Sequence, residues 1–208
     1  MEGDSVKHKK KALAMLLALV LLIAAVGGTL ALFTREARAT NVITTGTVDL
    51  ELTEKRLVNN REESYPVEPI TNVMPGTSQS KIPYIKNAGT ADLYTRVKIA
   101  VTIINDDGEA LPTLLPDQRT PVVTYDIITD DWIDGGDGFY YYKAAIAPGA
   151  DPVKLFNQVT FAPAMGNEYQ GCTVTVSIQA QAVQAKNNEI PVGGSILDVN
   201  GWPADPAE

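Results

Sequence analysis

Histidine and cysteine are almost missing from this chain: one of each, His8 and Cys172, among 208 residues. His8 falls in an amino-terminal leader, so the remainder holds no imidazole. That removes the His-Glu-x-x-His pattern, any Ser-His-Asp or Cys-His arrangement, and zinc bound by imidazole. A lone cysteine excludes an internal disulfide, which in an exported chain fits a cell that does not staple its secreted domains. No glycine-rich loop leads into a helix, and there is no fixed-period repeat or low-complexity tract. Basic charge is also scarce, with 17 Lys and Arg against 25 Asp and Glu and a net charge of −8. Four of those lysines (Lys7, Lys9, Lys10 and Lys11) sit in the leader beside only Glu2 and Asp4, so the body is more acidic than the whole. An acidic body without a basic patch is a poor match for nucleic acid, whose phosphates demand Lys and Arg. Nothing singles out a catalytic residue or a cofactor site.

What is present begins with export. The basic run Lys7–Lys11 precedes an unbroken apolar stretch, Ala12–Val26, and Gly27-Gly28 then breaks the helix ahead of Thr29-Leu30-Ala31. Small residues at the positions before the scissile bond place signal cleavage after Ala31, which makes residues 1–31 a signal peptide. A competing cut follows Ala39, using Ala37 and Ala39, but there Arg35, Glu36 and Arg38 crowd the bond. Left uncleaved, Ala12–Phe33 is long enough to span a bilayer, and the leader is the chain's one membrane contact. Residues 32–41 then form a short arm, with Leu32, Phe33, Thr34, Ala37 and Ala39 as its small and apolar members. No strand partner lies near the arm in sequence. The stretch beyond it alternates strictly, with Val48, Leu50 and Leu52 on one side and Thr47, Asp49 and Glu51 on the other, which is the period of a half-buried strand.

The body, 42–185, reads as short strands between turn residues. Thr53–Glu68 is charged and irregular, an exposed loop or meandering edge. Met74-Pro75-Gly76 is a turn, and Ser80–Asn87 is a strand that Pro83 confines to an edge or a bulge. Leu93–Ile104 is the clearest strand, with Leu93, Val97, Ile99, Val101 and Ile103 facing in and Tyr94, Arg96, Lys98 and Thr102 facing out. Between Pro112 and Pro116 at most one short helical turn fits. Val122–Ile128 is a strand, Asp130–Gly138 a loop, and Phe139–Ile146 a strand opened by four aromatics. Lys154–Phe161 and the alternating Cys172–Gln181 complete the set, with Cys172 in phase with Val174, Val176 and Ile178 as a small buried hydrophobe. From 186 to 208 the composition shifts to Asn, Gly, Pro and Asp. This is a loosely held tail in which only Ile196, Leu197, Val199 and Trp202 are suited to dock. Seven or eight short strands with no long amphipathic helix give an all-β fold. The expected form is a jelly-roll-like antiparallel β-sandwich behind a cleavable hydrophobic signal helix.

Two stretches invite a site. Asp130, Asp131, Asp134 and Asp137 cluster with glycines, a composition suited to calcium, but the spacing departs from the EF-hand loop and a solvated turn accounts for it. Trp132 and Phe139–Tyr142 offer aromatic surface; alternation puts Phe139 and Tyr141 on one face and Tyr140 and Tyr142 on the other, as core packing would.

Several of these signals occur together in one known family. The leader ending GGTLALF and the following TNVITTGTVDL resemble substrates of the dedicated SipW-type signal peptidase of Gram-positive bacteria. MPG before a strand, IKNAGTADLYTRVKI, DW, DGFYYYKAAIAPG, KLF and VTVSIQAQAVQA follow in the order seen in the TasA/camelysin family, across roughly residues 9 to 185. The resemblance implies a secreted jelly-roll domain at the cell surface or in the biofilm matrix. It also implies a homopolymeric fibre in which the arm of one subunit, here Leu32–Asn41, inserts as a strand into the next. Camelysin-like relatives have been described as metallopeptidases, an activity that a body without histidine does not support. The other reading of the same fold is a monomeric surface adhesin or matrix accessory protein whose arm folds back on its own edge.

Overall fold

The structure is a computed structural model that describes residues 48–65, 70 and 74–205. The expected leader and cleavage position at Ala31, the expected arm 32–41 and the start of the expected first strand, 42–47, lie outside the described residues. The strands in chain order are β1 (Leu50–Val58), β2 (Arg61–Ser64), β3 (Ser78–Ser80), β4 (Ile82–Asn87), β5 (Leu93–Ile104) and β6 (Ala110–Leu111). They continue with β7 (Val123–Tyr125), β8 (Trp132–Asp134), β9 (Phe139–Tyr142), β10 (Val153–Lys154), β11 (Gln158–Phe161) and β12 (Thr173–Gln184). Two single 3-10 turns, Asn167–Tyr169 and Ile196–Asp198, are the helical pieces among the described residues. The fold is all-β and every strand pair is antiparallel. One sheet runs β10-β4-β1-β2, a second β3-β11-β7, and a third β12-β5-β9-β8 with β6 beside the end of β5.

A single apolar core joins the three sheets. Leu50 and Ile85 come from the first, Val159 and Phe161 from the second, and Val97, Trp132 and Val176 from the third. Burial of each such side chain contributes about 1.5–3 kcal/mol. Strand β5 matches its expected span, and all twelve of its residues pair with β12, from Leu93↔Gln184 to Ile104↔Thr173. Cys172, Val174, Val176 and Ile178 are all buried, and burial pushes the Cys172 thiol up from its usual range.

Several expectations change. Of the two readings for the stretch after Leu52, the edge holds and the loop does not: β1 continues to Val58 and turns through Asn59-Asn60, both with positive φ (51° and 63°), into the exposed edge strand β2. Two successive left-handed residues make the hairpin turn whose twist matches its strands, and asparagine tolerates that backbone better than most residues. Pro83 is interior rather than marginal, lying in β4 between β1 and β10. The ladder accommodates it because Leu155 N–H donates to the Pro83 carbonyl at 3.1 Å. The Leu155 carbonyl, which proline cannot serve, accepts Ile128 N–H at 3.0 Å. The aspartate-rich loop contains β8, which pairs Trp132↔Tyr142 and Asp134↔Tyr140 with β9, and β9 itself stops at Tyr142. The start of the outward face of β5 is covered, with Tyr94 and Arg96 each 9% exposed, whereas Thr102 further along is exposed as expected. The cover is the tail, which is docked rather than loose. Ile196 and Val199 are buried with Tyr94, Phe139, Tyr141 and Val183, and Trp202 packs beside them, while Leu197 stays exposed.

Candidate functional site

Strand β12 lies at one border of the third sheet and is the longest of the edge strands. Its sequence, TVTVSIQAQAVQ, contains no charge and no proline, the residues that usually blunt an edge against further pairing. The register directs the main-chain groups of odd-numbered residues toward β5, as the Ala185 N–H bond to the Asp92 carbonyl (2.9 Å) shows at the next odd position. Even-numbered residues face outward. At Val174 that outer side is used, with Ile70 exchanging two main-chain hydrogen bonds of 3.1 Å. Among the described residues, Val176, Ile178, Ala180 and Ala182 have no strand paired on that side. β1 approaches the same strand from the neighbouring sheet.

The second concentration of chemistry lies on the outer face of the same sheet, around Arg96. Its guanidinium stacks 3.9 Å from the centre of the Phe139 ring. Arg96 Nε donates to Gln181 Oε1 (2.9 Å) and Nη1 to the Tyr141 hydroxyl (3.0 Å), and Asp137 Oδ2 stands 3.8 Å from Nη1. Asp137 is fixed in turn, accepting Tyr141 O–H at 2.6 Å and Phe139 N–H at 3.0 Å. Burial alone would raise its carboxyl, but those two donors and the Arg96 charge hold it below the usual range. The Tyr141 hydroxyl is raised by burial and by its bond to Asp137.

The tail completes this cluster. Arg96 Nη2 donates to the Pro203 carbonyl (3.0 Å) and Gln181 Nε2 to the Ala204 carbonyl (3.4 Å), while Lys98 pairs with Asp205. The Trp202 ring centre lies 5.1 Å from the guanidinium and meets Tyr141 edge-on at 5.5 Å. Arg96 and Gln181 stand out from the sequence only as polar members of alternating strands. The available signal was Arg96 on the same outward face as Tyr94, with an aromatic run to come.

The four candidate aspartates do not converge. Asp130 offers its carbonyl to Lys143 Nζ (3.2 Å), Asp131 N–H donates to Ile128 (3.0 Å), and Asp134 Oδ1 accepts Gly136 N–H (2.8 Å). Asp137 is engaged with Tyr141 and Phe139. Among the described residues no group of three or more His, Cys, Asp or Glu could hold a metal ion. No described helix is long and apolar enough to cross a membrane. The arm residues Leu32, Phe33, Thr34, Ala37 and Ala39 fall outside the described residues, so their contacts are not part of this geometry. Compared with known proteins, the chain matches no family model, no curated protein and no solved structure.

Proposed function

We propose that this protein is a secreted structural subunit of an extracellular or biofilm matrix, with a jelly-roll body that polymerises when the arm of one copy adds a strand to the next. The observation that supports it is the outer border of β12. Twelve uncharged, proline-free residues there carry outward main-chain groups at Val176, Ile178, Ala180 and Ala182 with no strand beside them among the described residues. An added strand gains about 0.5–1.5 kcal/mol net per main-chain hydrogen bond. Burying Leu32 and Phe33 adds roughly 1.5–3 kcal/mol each. Ordering the arm opposes this by about 1–2 kcal/mol per residue, so assembly responds to concentration and solution conditions. The contact is head-to-tail and need not close, which favours filaments over rings. The order of sequence signals shared with the TasA/camelysin family points the same way, including release from the membrane by a SipW-type signal peptidase.

The test compares the chain after removal of residues 1–31 with one starting at Asn41. Both should give the same β-type circular dichroism, and only the longer should grow fibres in light scattering and electron microscopy. Equal fibre growth from the shorter chain would remove the arm as the connector. Growth from neither would favour the monomeric adhesin or accessory protein.

A further inference from the structure

Much of the cluster around Arg96 is supplied by the body alone. Phe139 supports one face of the guanidinium, Gln181 takes Nε, and Tyr141 and Asp137 hold the Nη1 side. What remains for a ligand is Nη2 and the side of the cation that Trp202 approaches. Gln181 is fully buried, and because its Oε1 is occupied by Arg96 its amide NH2 is turned toward the tail. Beside it, Lys98 offers a charge. The sheet thus presents, in order, a place for an indole against a cation and the edge of Tyr141, two donors for successive carbonyls, and an ammonium for a carboxylate. Trp202, Pro203, Ala204 and Asp205 satisfy these four in sequence. A site whose polar groups are fixed by their own protein loses little freedom on binding, the condition for selective recognition of a short peptide.

We infer that this slot is a docking site for an extended Trp-Pro-x-acidic peptide, filled within the molecule by its own residues 202–205 and, between molecules, by the same segment of a second copy. The segment follows Gly201, whose left-handed conformation (φ 80°) marks a turning point at which the tail can swing away from its own body. An exchanged tail makes the same contacts as a retained one, so exchange between copies sacrifices no interaction. Within a matrix this is a second link, independent of any use of the amino-terminal arm.

The experiment uses a fluorescent peptide spanning Asn200–Glu208 and the full chain. Trp202→Ala empties the slot by removing the indole, and Arg96→Gln removes the slot while leaving the tail free. The peptide should bind the Trp202→Ala chain in fluorescence anisotropy, and bind wild type at least roughly tenfold more weakly because the slot is already filled. A labelled Arg96→Gln chain should bind the Trp202→Ala chain and not wild type. A peptide with Lys in place of Asp205 should bind the Trp202→Ala chain about tenfold more weakly. Circular dichroism reports whether the chains are folded, and Asp205→Lys, which reverses one outer charge, opens the clasp if Trp202→Ala does not fold. Failure of the peptide to bind either opened chain, or equal binding to opened and wild-type chains, overturns the slot. Peptide binding without capture of the Arg96→Gln chain overturns exchange between copies.

Discussion

Lys81 is the one lysine placed almost wholly out of water among the described residues, at 4% exposure between β3 and β4. Its Nζ lies 2.6 Å from Glu54 Oε2 and 4.3 Å from the centre of the Tyr65 ring. Burial depresses the amine, and the Glu54 charge works against that depression. Replacing the carboxylate by an amide keeps an acceptor near the ammonium but removes the opposing charge. Glu54→Gln should therefore cost about 1–3 kcal/mol, less than a fully buried pair because the Glu54 side chain keeps 29% of its exposure. Lys81→Met together with Glu54→Gln should recover most of that loss, since an apolar chain of similar length fills the space without an uncompensated charge. Urea unfolding of the three chains checks the pair; equal stability of the single and double variants would mean that water reaches Lys81. The sequence offers no sign of this burial, because Lys81 follows the polar strand β3 and its cover comes from Glu54 and Tyr65, which are distant in sequence. Cys172 is the opposite case: the phase of its strand alone marked it as interior, and it is fully buried.

Among the elements, strands that carry their own apolar alternation were legible, and those held in place only by their partner were not. Leu93–Ile104 and the strand after Cys172 announce themselves by alternation, and each supplies the other's partner along its length. β2 has four exposed residues, REES, and carries no hydrophobic signal at all; it exists because Asn59-Asn60 returns the chain against β1. The pairing is reinforced by Glu62, which accepts the Tyr84 hydroxyl at 2.8 Å and Lys55 Nζ at 3.2 Å. Asn60→Ala puts a side chain without asparagine's tolerance at φ 63° and should destabilise by about 1 kcal/mol, while Asn60→Gly should be neutral or slightly stabilising. Chemical denaturation of both checks the turn, and a harmless Asn60→Ala would show that the hairpin contributes nothing to the folded state. The tail is intermediate. Three of the four apolar residues expected to dock do so, but the partners, Arg96 and Gln181, are a cation and an amide whose burial only becomes intelligible once Trp202–Asp205 lies over them. The border of β12 was legible as a strand but not as an edge, since which side of a strand remains unpaired depends on the order of the whole sheet.

At the scale of the molecule, the three sheets share a core that shelters phenols as well as aliphatic chains. Burial, the largest cause in each case, raises the hydroxyls of Tyr65, Tyr125, Tyr140, Tyr141, Tyr142 and Tyr169 above the ordinary tyrosine value, with neighbouring carboxylates or hydroxyls adding to it. A group whose folded pKa lies above its unfolded one stabilises the fold fully below the unfolded value. That stabilisation is lost as pH rises through the folded value, because the unfolded chain releases its proton first. The six tyrosines therefore act in one direction, removing stability from about pH 10 upward. Cys172, also raised by burial, begins to act from about pH 8.5. Lys81 acts oppositely: its amine is lowered, so its own contribution improves as pH approaches about 10.4, and a single lysine does not offset the set. Below the tyrosine range stability should change little on this account. Above it the chain should unfold cooperatively, with tyrosinate absorbance and the loss of β-type circular dichroism rising together. Tyr125, packed 5.2 Å from Phe156 in the core, should ionise only in that transition. A titration in which all the tyrosines ionise near pH 10 while the dichroism stays intact would mean that these hydroxyls are open to water and that the packing around them is looser than the structure has it.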